Sequence, residues 1–72
     1  MNELLEALKR ASKECNSNFS VGVTQQGGFE IKIYDKYFNS ASLIDSDSDE
    51  ERIIREIDFL TKVKLSWDED KF

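Results

Sequence analysis

Histidine and proline are absent from this 72-residue chain, cysteine occurs once and glycine three times. Without histidine, Ser–His and Cys–His catalytic pairs are excluded, and so is imidazole-bound zinc. A single cysteine, Cys15, rules out an intrachain disulfide. With no secretory h-region at the N-terminus, it points to a reducing, cytoplasmic setting. No apolar run approaches the ~20 residues of a membrane-spanning helix. The glycines of QQGG at 25–28 lack the GxxxxGK pattern of a phosphate loop. Nothing therefore staples the fold, and a core of this size nets only about 3–5 kcal/mol. A homodimer is the expected way to bury more surface.

What is present is acid, unevenly placed. Residues 1–44 balance their charges, so the net charge of −5 arises wholly within 45–72. An acidic chain disfavours nucleic-acid phosphates and anionic membranes, because both need Lys/Arg clusters. What remains is a protein partner with a basic surface, a cation, or simple solubility.

The apolar pattern indicates one α+β domain over 1–72. MNELLEALKRASKEC sets Leu4, Leu8, Ala11 and Cys15 on a helical stripe with Leu5 and Ser12 at its edge. Asn2 suits the N-cap, Glu3 and Glu6 the positive end, and Lys9, Arg10 and Lys13 the negative end. On that apolar stripe Cys15 reads as a small buried hydrophobe rather than a nucleophile. FSVGVT and FEIKIY alternate on either side of the glycine turn, which predicts a hairpin with Phe19, Val21, Val23 facing Phe29, Ile31, Ile33. YFNSASLI reads as a third strand whose facing depends on the turn. A two-residue turn at Asp35–Lys36 pairs Ile33 with Phe38 and sends Phe38, Ser40, Ser42 and Ile44 inward. A longer turn buries Tyr37, Ala41 and Leu43 instead. Tyr34 and Tyr37, beside Glu30, Lys32 and Lys36, form a candidate contact patch on the outward face.

A second helical stripe, Ile53, Ile54, Ile57 and Leu60, follows the run DSDSDEE at 45–51. Phe59 and Val63 lie nearly opposite it. Phe59, Val63, Leu65 and Trp67 together are the candidate self-association surface. KVKLSW alternates, and with no Gly or Pro as punctuation it has two readings: a short fourth strand after about Thr61, or a helix running to about Leu65. The alternation favours the extended form. Residues 66–72 are expected to form an acidic, mobile tail.

DSDSDEE has the rhythm of a calcium loop, with Glu56 at the twelfth place. Its sixth place, however, is Glu50 where that loop needs Gly, and Arg52 and Arg55 fall inside. We expect no metal and no cofactor. The run reads as a helix start: Ser46, Asp47 or Ser48 as cap, and Ser48 with Glu51 as a capping box. No residue set supports an enzyme. The expected function is non-enzymatic interaction, with Asp45, Asp47, Asp49, Glu50, Glu51, Asp68, Glu69 and Asp70 facing the basic partner. The alternative is a structural or assembly subunit working through the apolar surface, with its acid only solubilising.

The layout resembles that of small acidic proteins encoded by phages and prophages, among them one DNA-mimicking anti-CRISPR class. LLEALKR, the strands from Phe19 to Ile44, DSDSDEERIIREI and WDEDKF correspond in order to that class's short helix, meander, Ser/Asp/Glu-rich helix start and acidic tail. The resemblance implies a mobile-element protein that presents carboxylates where a nuclease expects DNA phosphates.

Overall fold

The computed structural model describes residues 2–45 and 49–71. Its elements are α1 (Glu3–Cys15), β1 (Asn18–Val23), β2 (Phe29–Tyr34), β3 (Asn39–Ile44) and α2 (Glu50–Lys71). The strands form an antiparallel meander in the order β1-β2-β3, and both helices pack on one of its faces.

Local chemistry accounts for the ends of α1. Asn2 Oδ1 accepts from the Leu4 and Leu5 amides at 2.9 and 3.4 Å, satisfying amides that have no partner within the helix. At the other end Asn16 adopts a left-handed conformation, φ 50°. The amides of Ser17 and Asn16 then reach the Ser12 and Lys13 carbonyls at 3.1 and 3.4 Å, a Schellman stop with Asn in the place usually held by Gly.

The hairpin from β1 to β2 has the expected register, Phe19 opposite Ile33 and Val21 opposite Ile31. In its connection, the Gly28 amide donates to Thr24 Oγ1 at 2.9 Å. Gly28 also lies against the end of β3, where a Cβ would run into the Ile44 carbonyl oxygen. Only glycine fits there without backbone movement.

The β2–β3 connection is longer than a two-residue turn. The last pair is Tyr34 with Asn39, and Ile33 faces Ser40 rather than Phe38. Side-chain facing depends on parity, and the turn has grown by an even number of residues. Ser40, Ser42 and Ile44 therefore still point inward, while Ala41 and Leu43 point out. The longer turn does not bury Tyr37, Ala41 or Leu43. Asp35 explains the extra length. Its Oδ1 accepts from the Tyr37 and Phe38 amides at 2.7 and 2.9 Å, closing an Asx-type turn that a tight hairpin has no room for.

α2 continues unbroken through 62–67 to Lys71, so the preferred short C-terminal strand is replaced by helix. Residues 66–71 of the expected tail are helical, the last turns of α2. The helical stripe Ile53, Ile57, Leu60 extends to Lys64 and Trp67, and packing along it outweighs the β propensity of KVKLSW. Asp49 caps this helix, its Oδ1 accepting from the Arg52 amide at 2.9 Å. The expected caps Ser46, Asp47 and Ser48 lie outside the described residues.

The core comprises Ala7, Ala11 and Cys15 of α1, Ile31 and Ile33 of β2, Ile44 of β3, and Ile53, Ile57 and Leu60 of α2. The α1 stripe is centred on Ala7–Ala11–Cys15, rotated from the expected one, with Leu4 and Leu8 only half-buried and Leu5 exposed. Small side chains at its centre bring α2 close. Two contacts fix the relative direction of the helices. The Leu4 amide donates to Glu50 Oε1 at 3.0 Å, and Cys15 Sγ donates weakly to the Thr61 carbonyl at 3.8 Å. The same offset at both ends means that the helices run parallel, start at one end of the molecule and leave 62–71 projecting past α1.

Candidate functional site

The acidic residues do not form one surface. Asp49, Glu50 and Glu51 open α2 while Asp68, Glu69 and Asp70 close it, a separation of about 27 Å at 1.5 Å per residue. Between them the outer side of α2 carries charges of both signs: Arg55, Asp58 and Lys62, all exposed. A continuous row of carboxylates, as DNA mimicry requires, is not built along this helix. Asp47 lies outside the described residues.

The two clusters also differ in what they already do. At the start of α2, Asp49 and Glu50 are engaged by amides, one capping α2 and the other covering the first turn of α1. Because the helices run parallel, Glu3 and Glu6 stand at this same end, beside Ala7, Arg10 and Ile54 in a shallow groove between the helices. Asp45 follows β3 here. Glu3, Glu6, Asp45 and Glu51 form no ion pair among the described residues. Two helix N-termini contribute about half a positive charge each, which offsets part of this field but not all of it.

At the far end, Asp68 belongs to a packed cluster that sequence reasoning missed. Lys64 is only 4% exposed, and its ammonium lies 2.6 Å from Asp68 and 3.3 Å from Asp35. The nitrogen also stands over the rings of Trp67 and Phe38, 5.1 and 5.5 Å from their centroids. Those rings pack on each other at 5.1 Å. Burial works to lower the Lys64 pKa, but the hydrogen bonds and charges of Asp68 and Asp35 outweigh it and hold the ammonium above the ordinary lysine value. An amine kept protonated in this way is not poised as a nucleophile.

Asp35 is the joint of the molecule. Besides the turn amides and Lys64, it accepts from Ser17 Oγ at 3.0 Å, so one carboxylate ties the end of α1, the β2–β3 turn and α2 together. The Tyr37 amide leads the groups that pull its pKa down, to about 2, with Ser17 and Lys64 adding to it. Two signals in the sequence could have found this cluster: Lys64 falls on the Ile53–Ile57–Leu60 helical stripe, and Asp68 stands four residues after it.

The remaining candidates separate clearly. Phe59 is 56% exposed, and Val63 and Trp67 follow it at helical spacing on the side of α2 that overlooks β3. Trp67 is held against Phe38, and Leu65 lies on another side of the helix, partly packed against the core. The four residues do not form one apolar surface. The open face of the sheet sets Tyr34 between Asn18 and Asn39, Lys32 between Ser20 and Ala41, and Glu30 between Gly22 and Leu43. Lys32 and Glu30 pair there at 3.7 Å. Cys15 is buried, which raises its thiol pKa, so it is an inert core residue. Among the described residues no cluster of metal-ligating side chains is present, and no helix is long and apolar enough to cross a membrane.

No protein-family model, curated protein or solved structure matches this chain.

Proposed function

We propose that this chain is a non-enzymatic interaction module whose docking end is the one where both helices begin, and that its partner is a protein with a basic surface. One observation carries this reading. The parallel helices bring Glu3 and Glu6, from the start of the chain, beside Asp45, Asp49, Glu50 and Glu51. The carboxylates at the other end of α2 are less available, since Asp68 is engaged by Lys64. A cytoplasmic location suits a free, unpaired Cys15.

Charge reversal at the two ends tests the reading with a lysine-rich peptide as probe. The variant Glu3→Lys/Glu51→Lys should lose most binding, and Glu69→Lys/Asp70→Lys should retain it. Binding by the native chain should fall steeply between about 50 and 500 mM salt, as exposed charges are screened. Equal affinity at both salt concentrations removes the electrostatic mechanism.

The alternative, action through an apolar surface, is supported by the exposure of Phe59, with half-buried Val63 beside it and without Leu65 or Trp67.

A further inference from the structure

The sheet has two free edges, and neither is protected in the usual way. β1 (NFSVGV) and β3 (NSASLI) contain no charged residue and no proline, while the sheet's charges, Glu30 and Lys32, sit on the central strand. Edge strands normally carry Lys, Pro or a bulge to prevent pairing with another chain.

Backbone directions along β3 follow from its register. The Asp35 amide donates to the Phe38 carbonyl at 2.8 Å, which makes that pair a hydrogen-bonded one. In an antiparallel ladder such pairs alternate. Ser40, Ser42 and Ile44 therefore turn their amide and carbonyl toward β2, and Asn39, Ala41 and Leu43 direct theirs outward. These three positions are symmetric about Ala41.

We infer that β3 is the docking edge for a second copy of this chain, paired antiparallel about a two-fold axis at Ala41 to make one continuous sheet. In that register Asn39, Ala41 and Leu43 meet the partner copy's Leu43, Ala41 and Asn39, and every outward backbone group finds a complement.

Three further observations fit this occupant and this edge. The first is helix spacing. α2 approaches the sheet over β2 and β3, whereas α1 approaches it over β1 alone. With strands about 4.8 Å apart, a helix lying between β2 and β3 meets its symmetry mate at about 10 Å between axes, a normal packing distance. The same operation at β1 would force two α1 helices to about 5 Å, which is sterically closed.

The second is the apolar flank. Phe59 lies on the β3 side of α2, three residues beyond Glu56, whose carboxylate lies close enough to Ser42 for that hydroxyl to help lower its pKa, beside the axis. Its exposed ring thus faces its own symmetry mate, with Val63 next to it.

The third is charge. For a chain of net charge −5, this side is neutral. Its flanking charges, Arg52 and Glu56, cancel at 2.6 Å. At the rim, Asp45 follows β3 toward the partner copy's β2–β3 turn, which carries Lys36 beside Tyr37, an acid approaching a base.

Asp45 apart, this inference shares no residue with the acidic docking end, so either can fail alone. It is tested first by light scattering from about 1 µM to about 1 mM protein, where the mass should rise from 8.4 kDa toward twice that. Leu43→Lys and Phe59→Lys, both at exposed positions, should stay monomeric with an unchanged circular dichroism spectrum. Register is tested by oxidation. Ala41→Cys places two sulfurs on residues about 5.5 Å apart at Cα and should cross-link rapidly. Leu43→Cys sets its pair about 15 Å apart and should not. The buried Cys15 of the native chain serves as the unreactive control. A monomer throughout the concentration range, a dimer that survives both lysine substitutions, or equal cross-linking at 41 and 43 overturns the proposal.

Discussion

Asp35 and Lys64 make opposite claims on pH. Asp35 has a depressed pKa, so its stabilising contribution is present above its unfolded value near 3.9. That contribution is lost as pH falls through the folded value of about 2. Glu56, lowered chiefly by its hydrogen bond from Arg52, works in the same direction. Lys64 is raised, so its contribution persists below the ordinary lysine value and is lost only as pH rises beyond it. The chain should therefore hold a flat stability plateau across neutral pH with an acid limb below about pH 4. Urea midpoints measured from pH 7 to pH 2 check this, and Asp35→Asn should lower the neutral plateau and shrink the acid limb. Lys64→Ala, which leaves two carboxylates facing two rings, should cost about 1–3 kcal/mol in the same assay, below the full price of a deeply buried pair because both acids retain solvent contact. At the other end of α2, Asp49→Ala should remove about 1 kcal/mol as a lost cap.

At the scale of elements, much of the fold was legible because burial imposes a period. Phe19, Val21, Ile31 and Ile33 alternate as strands with one buried face must, and the glycine turn set their register. The start of α1 was legible from Asn2. What was not legible depended on partners distant in the chain. KVKLSW alternates by composition, yet Lys64 finds Asp35 and Phe38, and that contact keeps the segment helical. The length of the β2–β3 turn and the facing of β3 stayed open in the sequence, because an Asx turn at Asp35 cannot be told from a tight hairpin without its amide partners. The structure combines the longer turn with the facing expected of the shorter one, since the added length is even. The candidate site was less legible than the fold: charge run and helix start were both recognised in DSDSDEE, but nothing in the sequence placed Glu3 and Glu6 beside it. Gly28 offers a test at this scale. Gly28→Ala drives a methyl group into the Ile44 carbonyl and should destabilise by about 1–3 kcal/mol as overpacking, read as a shift in thermal midpoint.

For the molecule as a whole, two helices starting at one end put two positive dipole ends side by side. The carboxylates of Glu3, Glu6, Asp49, Glu50 and Glu51 relieve that arrangement. Part of the acid is thus committed to the fold, and the rest defines the docking end. Neutralising Glu50 by Glu50→Gln keeps an acceptor for the Leu4 amide but removes the charge. It should cost only a few tenths of a kcal/mol, less than Glu50→Ala, a difference that chemical denaturation resolves.

The constant offset of 46 residues between α1 and its contacts on α2 has a consequence in time. α1 is synthesised well before its packing partner, so the small-residue stripe Ala7–Ala11–Cys15 stays uncovered until Thr61 has emerged. Contacts of such long sequence separation must bear loop closure before any return, which slows collapse relative to a helical hairpin of equal size. On the ribosome, α1 docks only after most of α2 has followed it out.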